Sequence, residues 1–577
     1  MKKLLVFTLV LLTSLFVFAE PEWLIEDVEG GQKGGTLFLS TTSGPKTLNE
    51  YWAQETSSTD ITDYFRDTLL HTNNRARWSE PGLAKEFWME ETENGGTAYH
   101  FIVREGLTWS DGTPFTIDDI VFTWEKIIVP EGMLADGNDV YQDEAGNLPE
   151  LQVEGNHLTF VYPTRFRFGF EALGGNIAVF PKHKFEDRVS DPDTFAQTWT
   201  VEQIDDVIGM GAFVVTEYVE GVRVVLERNP YYYAKSKDGV QLPYLDKIIY
   251  QIVQDLNTER LKFEAGEIDV FAPTAENFPS IRAQASEKGW QTIIGGPSNN
   301  SQFVAFNFNA ADPVHREWFR NTSFRQAVAY AFDKQSVIDT LMNGLGEPMY
   351  GPRSRSSAFY NPEIENLGYR YSLAMARRKL QEGGFSWNNE GKLVDSEGNV
   401  VAFSLSTNSG NNTREEIGNI LVDSLSKLGI EVEFRPVQFN TLVGQLYSAD
   451  WDAIILGLSG GDDPAWGSNV WALDGGLHFW NWHPEVQDWV NPDEYWASEA
   501  EKRIDEIMRV NKSIFDEEKL QALWDEWQML IAENQILVYT VSQNVLFAHV
   551  EELHIYNPEP NPLAGVLWRP WGLWKEQ

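Results

Sequence analysis

The 577-residue chain contains no cysteine. Disulfides, zinc–thiolate sites, thiol nucleophiles and lipid attachment through an N-terminal cysteine are thereby excluded. Basic residues are scarce: 45 Lys and Arg stand against 86 Asp and Glu, a formal net charge of −41. A surface this acidic repels phosphate backbones, and no run of Lys or Arg offers a local exception, so nucleic acid is not an expected partner. Nucleotide loops are missing too, with neither a G-x-x-x-x-G-K nor a G-x-G-x-x-G after a strand, and no cofactor is expected. The histidines are scattered, with His478 and His483 as a pair in HFWNWH, and neither HExxH nor a carboxylate–His spacing marks a metal site. Beyond the N-terminus no apolar run approaches the ~20 residues of a spanning helix, and no internal repeat or low-complexity linker is visible.

What is present begins with Lys2 and Lys3, followed by an apolar run over residues 4–18 that is interrupted by Thr8 and by Thr13-Ser14. Val17 and Ala19 sit three and one residues before a cut ahead of Glu20. This reads as a secretory signal peptide over residues 1–19, and the mature protein is expected to be periplasmic and soluble. With 42% apolar residues the remainder can bury several cores, and its length suggests roughly two to four domains.

The stretch HFIVREGLTWSDGTPFTIDDIVFTW, residues 100–124, holds four acids and two tryptophans around a sharp turn. Residues 99–104 alternate, with Phe101 and Val103 on one side, which predicts a strand. Ser110-Asp111-Gly112 predicts a turn. Thr116 predicts a helix N-cap, with Asp119 completing a capping box and Asp118 beside the positive end of the helix. Ile117, Ile120, Val121, Trp124, Ile127 and Ile128 then fall on one apolar face. These acids have structural tasks, and the stretch reads as scaffold rather than as a catalytic carboxylate pair.

The wording YHFIVREGLTWSDGTPFTIDDIVF resembles the signature of the family 5 solute-binding proteins of ABC importers, the oligopeptide, dipeptide and nickel-binding group. Further blocks resemble the family in order. They are the strand and TLN loop of GGTLFLSTTSGPKTLNEYW, the hairpin GMGAFVVTEYVEGVRVVLERNPYYY with its turn at Glu220-Gly221, and FNFN at residues 306–309. A helix is expected over about residues 258–265, one amphipathic helix over 323–341, and a helix near SLAMARRKLQEGGF stopped by Gly383-Gly384. EEIGNILVDSLSKLGIEVEFRPV predicts helix then strand, and DAIILGLSGG a strand ending in a loop. Strands alternating with helices indicate an α/β architecture.

The resemblance, which runs from about residue 34 to the C-terminus, implies a two-lobe fold of the type II periplasmic-binding-protein kind with the ligand cleft between the lobes. Lobe one is expected to combine residues 20–300 with 536–577 and to carry an extra subdomain over about 66–194. Lobe two is expected over 301–535. The implied partners are a short oligomeric solute and the membrane subunits of an ABC permease, and the protein itself is expected to be a monomer.

Two motifs bear on the site. Gly457-Leu458-Ser459-Gly460-Gly461 matches the nucleophile-elbow pattern G-x-S-x-G, which needs a strand before the serine and a helix directly after it. The strand is expected in AIIL, but DDPAWGSNVW after it reads as a loop, so a secreted hydrolase is a weak rival. The Gly-rich stretch 456–484 carries Trp466, Trp471, Trp480 and Trp482. Tryptophans in a loop form either a local mini-core or a binding surface, and both readings stand for each of them. In the resembled family the equivalent stretch often reads G-W-x-G-D-x-x-D-P, with a first Asp that pairs with a peptide's ammonium. Here it reads G-D-D-P, with Gly461 in that place and Asp462 or Asp463 as replacements. The expected ligand-binding set is Asp462, Asp463, Trp466, Asn469, Trp471 and Trp480, together with Trp52 and Asn307. An oligopeptide is the favoured solute; an oligosaccharide, which would stack on indole faces, is the alternative. A purely structural envelope protein would have no use for two lobes.

Overall fold

The computed structural model describes residues 21–576 apart from 76, 136, 462, 558, 559 and 561–564. The segment 1–19 read as a signal peptide, and Asp462, lie outside the described residues. No helix among the described residues is long and apolar enough to cross a membrane.

Two sheets organise the chain. In the first, Thr36–Thr41 lies parallel to Lys247–Ile252, followed by the antiparallel strands Arg223–Arg228 and Phe213–Val219. Its alternation is regular: Leu37 and Leu39 enter the core while their neighbours are half-buried. The last two strands are the expected hairpin, and Gly221 takes the positive φ of 67° that its turn requires. The second sheet has five strands in the order Glu431–Val437, Ala402–Asn408, Ala453–Leu458, Ser301–Phe306, Val538–Tyr539. Ala453 to Leu456 are all buried, the continuous apolar run of a strand covered on both faces. The helix Asn412–Ser426 packs Ile417, Leu421 and Leu425 into the core.

Two segments join the second sheet to a third, whose strands run in the order Val270–Phe271, Val541–Val550, Trp290–Pro297. One leads from the strand Trp290–Pro297 through Ser298, Asn299 and Asn300 into Ser301–Phe306. The other leaves Val538–Tyr539 at Thr540 and enters Val541–Val550, which pairs with Trp290–Pro297. The two are tied together: Thr540 N–H donates to the Gln302 carbonyl at 2.9 Å, and the Ser542 hydroxyl to that of Ser298 at 3.1 Å. Val538 and Tyr539 pair with Val304 and Phe303, so the chain leaves the five-stranded sheet at Thr540.

A separate antiparallel sheet, Ala84–Glu91, Thr97–Val103, His157–Tyr162, Glu150–Glu154, lies within residues 66–194. Its acids do what their positions predict. Asp111 accepts from Thr113 N–H at 2.9 Å, closing the turn. Asp119 is buried and accepts from Thr116 N–H and Lys182 N–H, each at 2.9 Å, so the capping box also pins a second segment. The helix Ile117–Phe122 continues through the wider turn Thr123–Ile128, where Val129 N–H reaches back to the Trp124 carbonyl.

One expectation fails. The single helix over 323–341 is two, Thr322–Ala331 and Lys334–Thr340. Asp333 between them accepts from Ser336 N–H at 3.0 Å. Its short carboxylate offers the backbone a new N-cap in competition with helix continuation.

Candidate functional site

A cavity of about 1140 Å³ lies between the two sheets, at the crossings. This is larger than the ~300–1,000 Å³ of ordinary small-molecule pockets. One wall is Thr41, Thr42 and the start of the helix Thr56–Thr62; the floor is the crossing residues Ser298 to Gln302 and Ser542 to Phe547. The opposite wall is the end of the strand Ala453–Leu458 with the loop behind it, the N-terminus of the helix Asn412–Ser426, and the aromatic rings of Phe439, Tyr447, Phe479 and Trp527. Glycine is required where the loop passes the crossing: a Cβ on Gly460 would sit 2.2 Å from the Asn299 carbonyl oxygen. The polar lining is mostly uncharged, Ser and Thr hydroxyls together with side-chain amides, among them Asn299, Asn300, Gln302, Asn408, Asn411 and Asn469. Each offers a donor and an acceptor, as a peptide unit or a sugar hydroxyl does.

A second chamber of about 430 Å³ shares Ala272 and Phe547 with the first. Trp78, Trp568, Trp571 and Tyr64 wall it, with Asp60, Asp63 and Glu259. Enclosure, reinforced by Asp63, pushes the Asp60 carboxyl up to about 7.

Of the expected site residues, Trp466, Asn469 and Trp471 line the large cavity. Four others do not. Trp480 is fully buried behind the wall, against Trp471 at 5.3 Å and His478 at 4.2 Å. The Trp52 indole donates to the Met133 carbonyl at 3.0 Å. Asn307 is fully buried, donating to the Trp451 carbonyl and accepting from Asn309 N–H, each at 2.9 Å. Asp463 turns away from the cavity: Arg167 holds it with two bonds, at 2.7 and 3.1 Å. For Trp52, Asn307 and Asp463 the physical reason is shared: a polar group taken from water must find a partner, and these found one in the fold. Trp480 is held by ring packing instead.

The Arg167–Asp463 pair is the centre of a contact between the 66–194 segment and the loop that follows the strand Ala453–Leu458. The Arg167 guanidinium also donates to the backbone and side-chain oxygens of Asn511, each at 3.0 Å. Ser468 donates to Asp139 at 2.8 Å, Lys512 to the Asp139 carbonyl, and Trp466 meets Phe168 edge-on at 5.0 Å. Trp466 thus has the cavity beside it and the Phe168 ring of the 66–194 segment against it. Glu171 lies in the same field: burial first, then the Asp463 charge, raise its carboxyl to about 7, against the pull of Arg167 and Arg77.

Residues that the sequence reading missed include Arg353 and Arg414. Arg353 lines the cavity, donates to the Gly461 carbonyl at 2.6 Å and lies over the Trp527 ring. The signal for Arg414 was its place in the first turn of a helix that follows a strand end. The elbow motif does not form: after Ala453–Leu458 the chain enters a loop, and the next helical turn is Pro464–Gly467. The described lining contains no histidine to serve as a base, and no group of three or more His, Asp or Glu among the described residues is placed to hold a metal.

Two lobes joined by paired crossings, with a large cavity between them, define a two-lobe solute-binding protein of the type II periplasmic kind. The family model described as bacterial extracellular solute-binding proteins, family 5 Middle, matches residues 79–477. The chain belongs to this family. It is 28% identical to a Deinococcus radiodurans protein named a probable ABC transporter-binding protein, over 99% of this chain and 98% of that one. It is 25% identical to the oligopeptide-binding protein AppA of Bacillus subtilis, over 92% and 90%. The solved structure of AppA in complex with a nonapeptide superposes with a TM-score of 0.80, covering 95% of this chain and 100% of that one. A periplasmic alpha-galactoside-binding protein of Rhizobium meliloti is 27% identical over 65% of this chain and 57% of its own length.

Proposed function

We propose that the protein is the extracytoplasmic receptor of an ABC importer, capturing a short oligopeptide between its lobes and delivering it to the permease, without catalysing a reaction. The observation that carries this is the cavity, which takes its walls from both lobes and its floor from both crossings. A solute held there touches every part that must move on closure. Its size suits an oligomer, and amide side chains of both hydrogen-bonding senses suit a main chain that alternates N–H and C=O. The likeness to AppA along 92% of this chain supports the peptide. We further propose that it acts as a monomer and reaches the periplasm after a cut ahead of Glu20, which intact-mass analysis of the exported protein tests.

The test of the solute is mass spectrometry of small molecules released by denaturing the purified protein. Peptides are the expected result. Oligosaccharides would overturn the peptide reading in favour of the second one, which Trp466, Trp471 and Trp527 in the cavity wall favour, since flat indoles suit sugar faces.

A further inference from the structure

The second chamber, of about 430 Å³, borders the cleft at Ala272 and Phe547. Its described lining comes from residues 39–272 and 547–571, all on one side of the crossings. Unlike the cleft it is complete without the five-stranded sheet, so filling it requires no closure.

Its charges do not balance. Each cation of the described lining already holds a carboxylate. Arg66 Nε meets Asp63 at 2.8 Å and its Nη1 meets Glu50. Arg569 donates to Glu26 at 2.6 Å, and His71 Nε2 lies 2.8 Å from Asp67. Asp60 and Glu259 are left over. Among the described residues no cation offsets Asp60, whose carboxyl is raised to about 7 by enclosure and by the like charge of Asp63. Glu259 accepts from the neutral Ser40 hydroxyl at 2.7 Å, and burial raises its carboxyl as well. The buried His71 ring adds an acceptor. With its Nε2–H given to Asp67, Nδ1 keeps a lone pair that no donor among the described residues meets. The rings of Trp78, Trp568, Trp571 and Tyr64 line the same space.

A cation answers each of these features. It restores the charged form of an enclosed carboxyl, an N–H on it suits the imidazole lone pair, and aromatic faces attract it. No group of three or more His, Asp or Glu among the described residues is placed to hold a metal ion, so the cation that fits is one with a carbon body. We propose that the chamber is a second binding site, separate from the solute cleft, for a small organic cation: a protonated amine drawn to the carboxyls of Asp60 and Glu259, with its carbon body against the indoles.

The test is calorimetry of the full chain with two amines and their neutral counterparts, tyramine against tyrosol and cadaverine against 1,5-pentanediol. Wild type should bind the amines roughly 10- to 100-fold more tightly than the alcohols, the scale of charged hydrogen bonds. Asp60→Asn should remove most of that preference, and Glu259→Gln, which reads the same effect if the first variant folds poorly, should reduce it. Neither residue lines the cleft, so these losses also locate the site. Repeating the titration with the small-molecule fraction released by denaturing the protein, added back to saturation, should leave amine binding in place. Competitive displacement by that fraction would put the amine in the cleft and overturn the proposal. So would failure of both amines to bind, equal affinity for amine and alcohol, or a preference untouched in both variants.

Discussion

The indole of Trp471 lines the cavity and also meets Trp480 and Trp527, at 5.3 and 5.6 Å, with only 5% of its surface exposed. The choice between mini-core and binding surface therefore has no single answer at this residue. Trp471→Ala should lower the unfolding midpoint by several degrees, because truncating a buried aromatic costs about 3–5 kcal/mol. It should also weaken solute binding by roughly 30-fold, as loss of an aromatic anchor does. Differential scanning calorimetry and titration read the two separately; a stability loss with unchanged affinity in the folded fraction would remove Trp471 from the binding surface. Glu171 gives a pH test. Its carboxyl is raised from an ordinary 4.5 to about 7, so the folded protein holds the proton more tightly than the unfolded chain. That contribution is present in full below about pH 4.5 and lost as pH rises through about 7. Glu171→Gln should accordingly raise the melting temperature above pH 7 and leave it unchanged at pH 4. An equal shift at both pH values would show that the carboxyl is not perturbed.

If the protein closes on its solute, the contact between the 66–194 segment and the loop around Asp463 is the element expected to form and break. With side chains 10% and 18% exposed, the Arg167–Asp463 pair is shielded while the lobes are together, and opening returns both charges to water. A solute that binds the closed form loses apparent affinity as that form becomes less populated. Arg167→Gln or Asp463→Asn should weaken binding roughly tenfold, about 1.4 kcal/mol, at the low end for close interface charge pairs. Both variants should do so without changing which solutes are selected. A change of selectivity on Asp463→Asn would instead make Asp463 a ligand contact. This contact also marks what the sequence shows and what it conceals. The capping box at Thr116, the Glu220-Gly221 turn and the Gly383-Gly384 stop were legible because each is decided by side chains a few residues apart. The split of the 323–341 helix was legible in principle, since Asp333 is a good N-cap, but the apolar period runs through it. Arg167 and Asp463 are 296 residues apart, and nothing local in GGDDP distinguishes an acid bound by a distant arginine from one that faces a solute. Trp466, Trp471 and Trp480 share one Gly-rich stretch without a regular period, so only the fold separates the lining rings from the buried one.

At the scale of the molecule, everything argued for the cleft depends on two lobes moving about the paired crossings at Ser298 to Asn300 and Thr540. The hydrogen bonds that tie the crossings, Thr540 to Gln302 and Ser542 to Ser298, are expected to survive such a motion, and the contacts at Asp463 to break in it. A solute shifts this equilibrium only through better binding to the closed form. The measurement that tests this most directly is small-angle X-ray scattering of the stripped protein, alone and saturated with the solute recovered from it. The account predicts a smaller radius of gyration with solute, and in Arg167→Gln a larger radius without it. Identical curves with and without saturating solute would describe a rigid binder and contradict capture by closure.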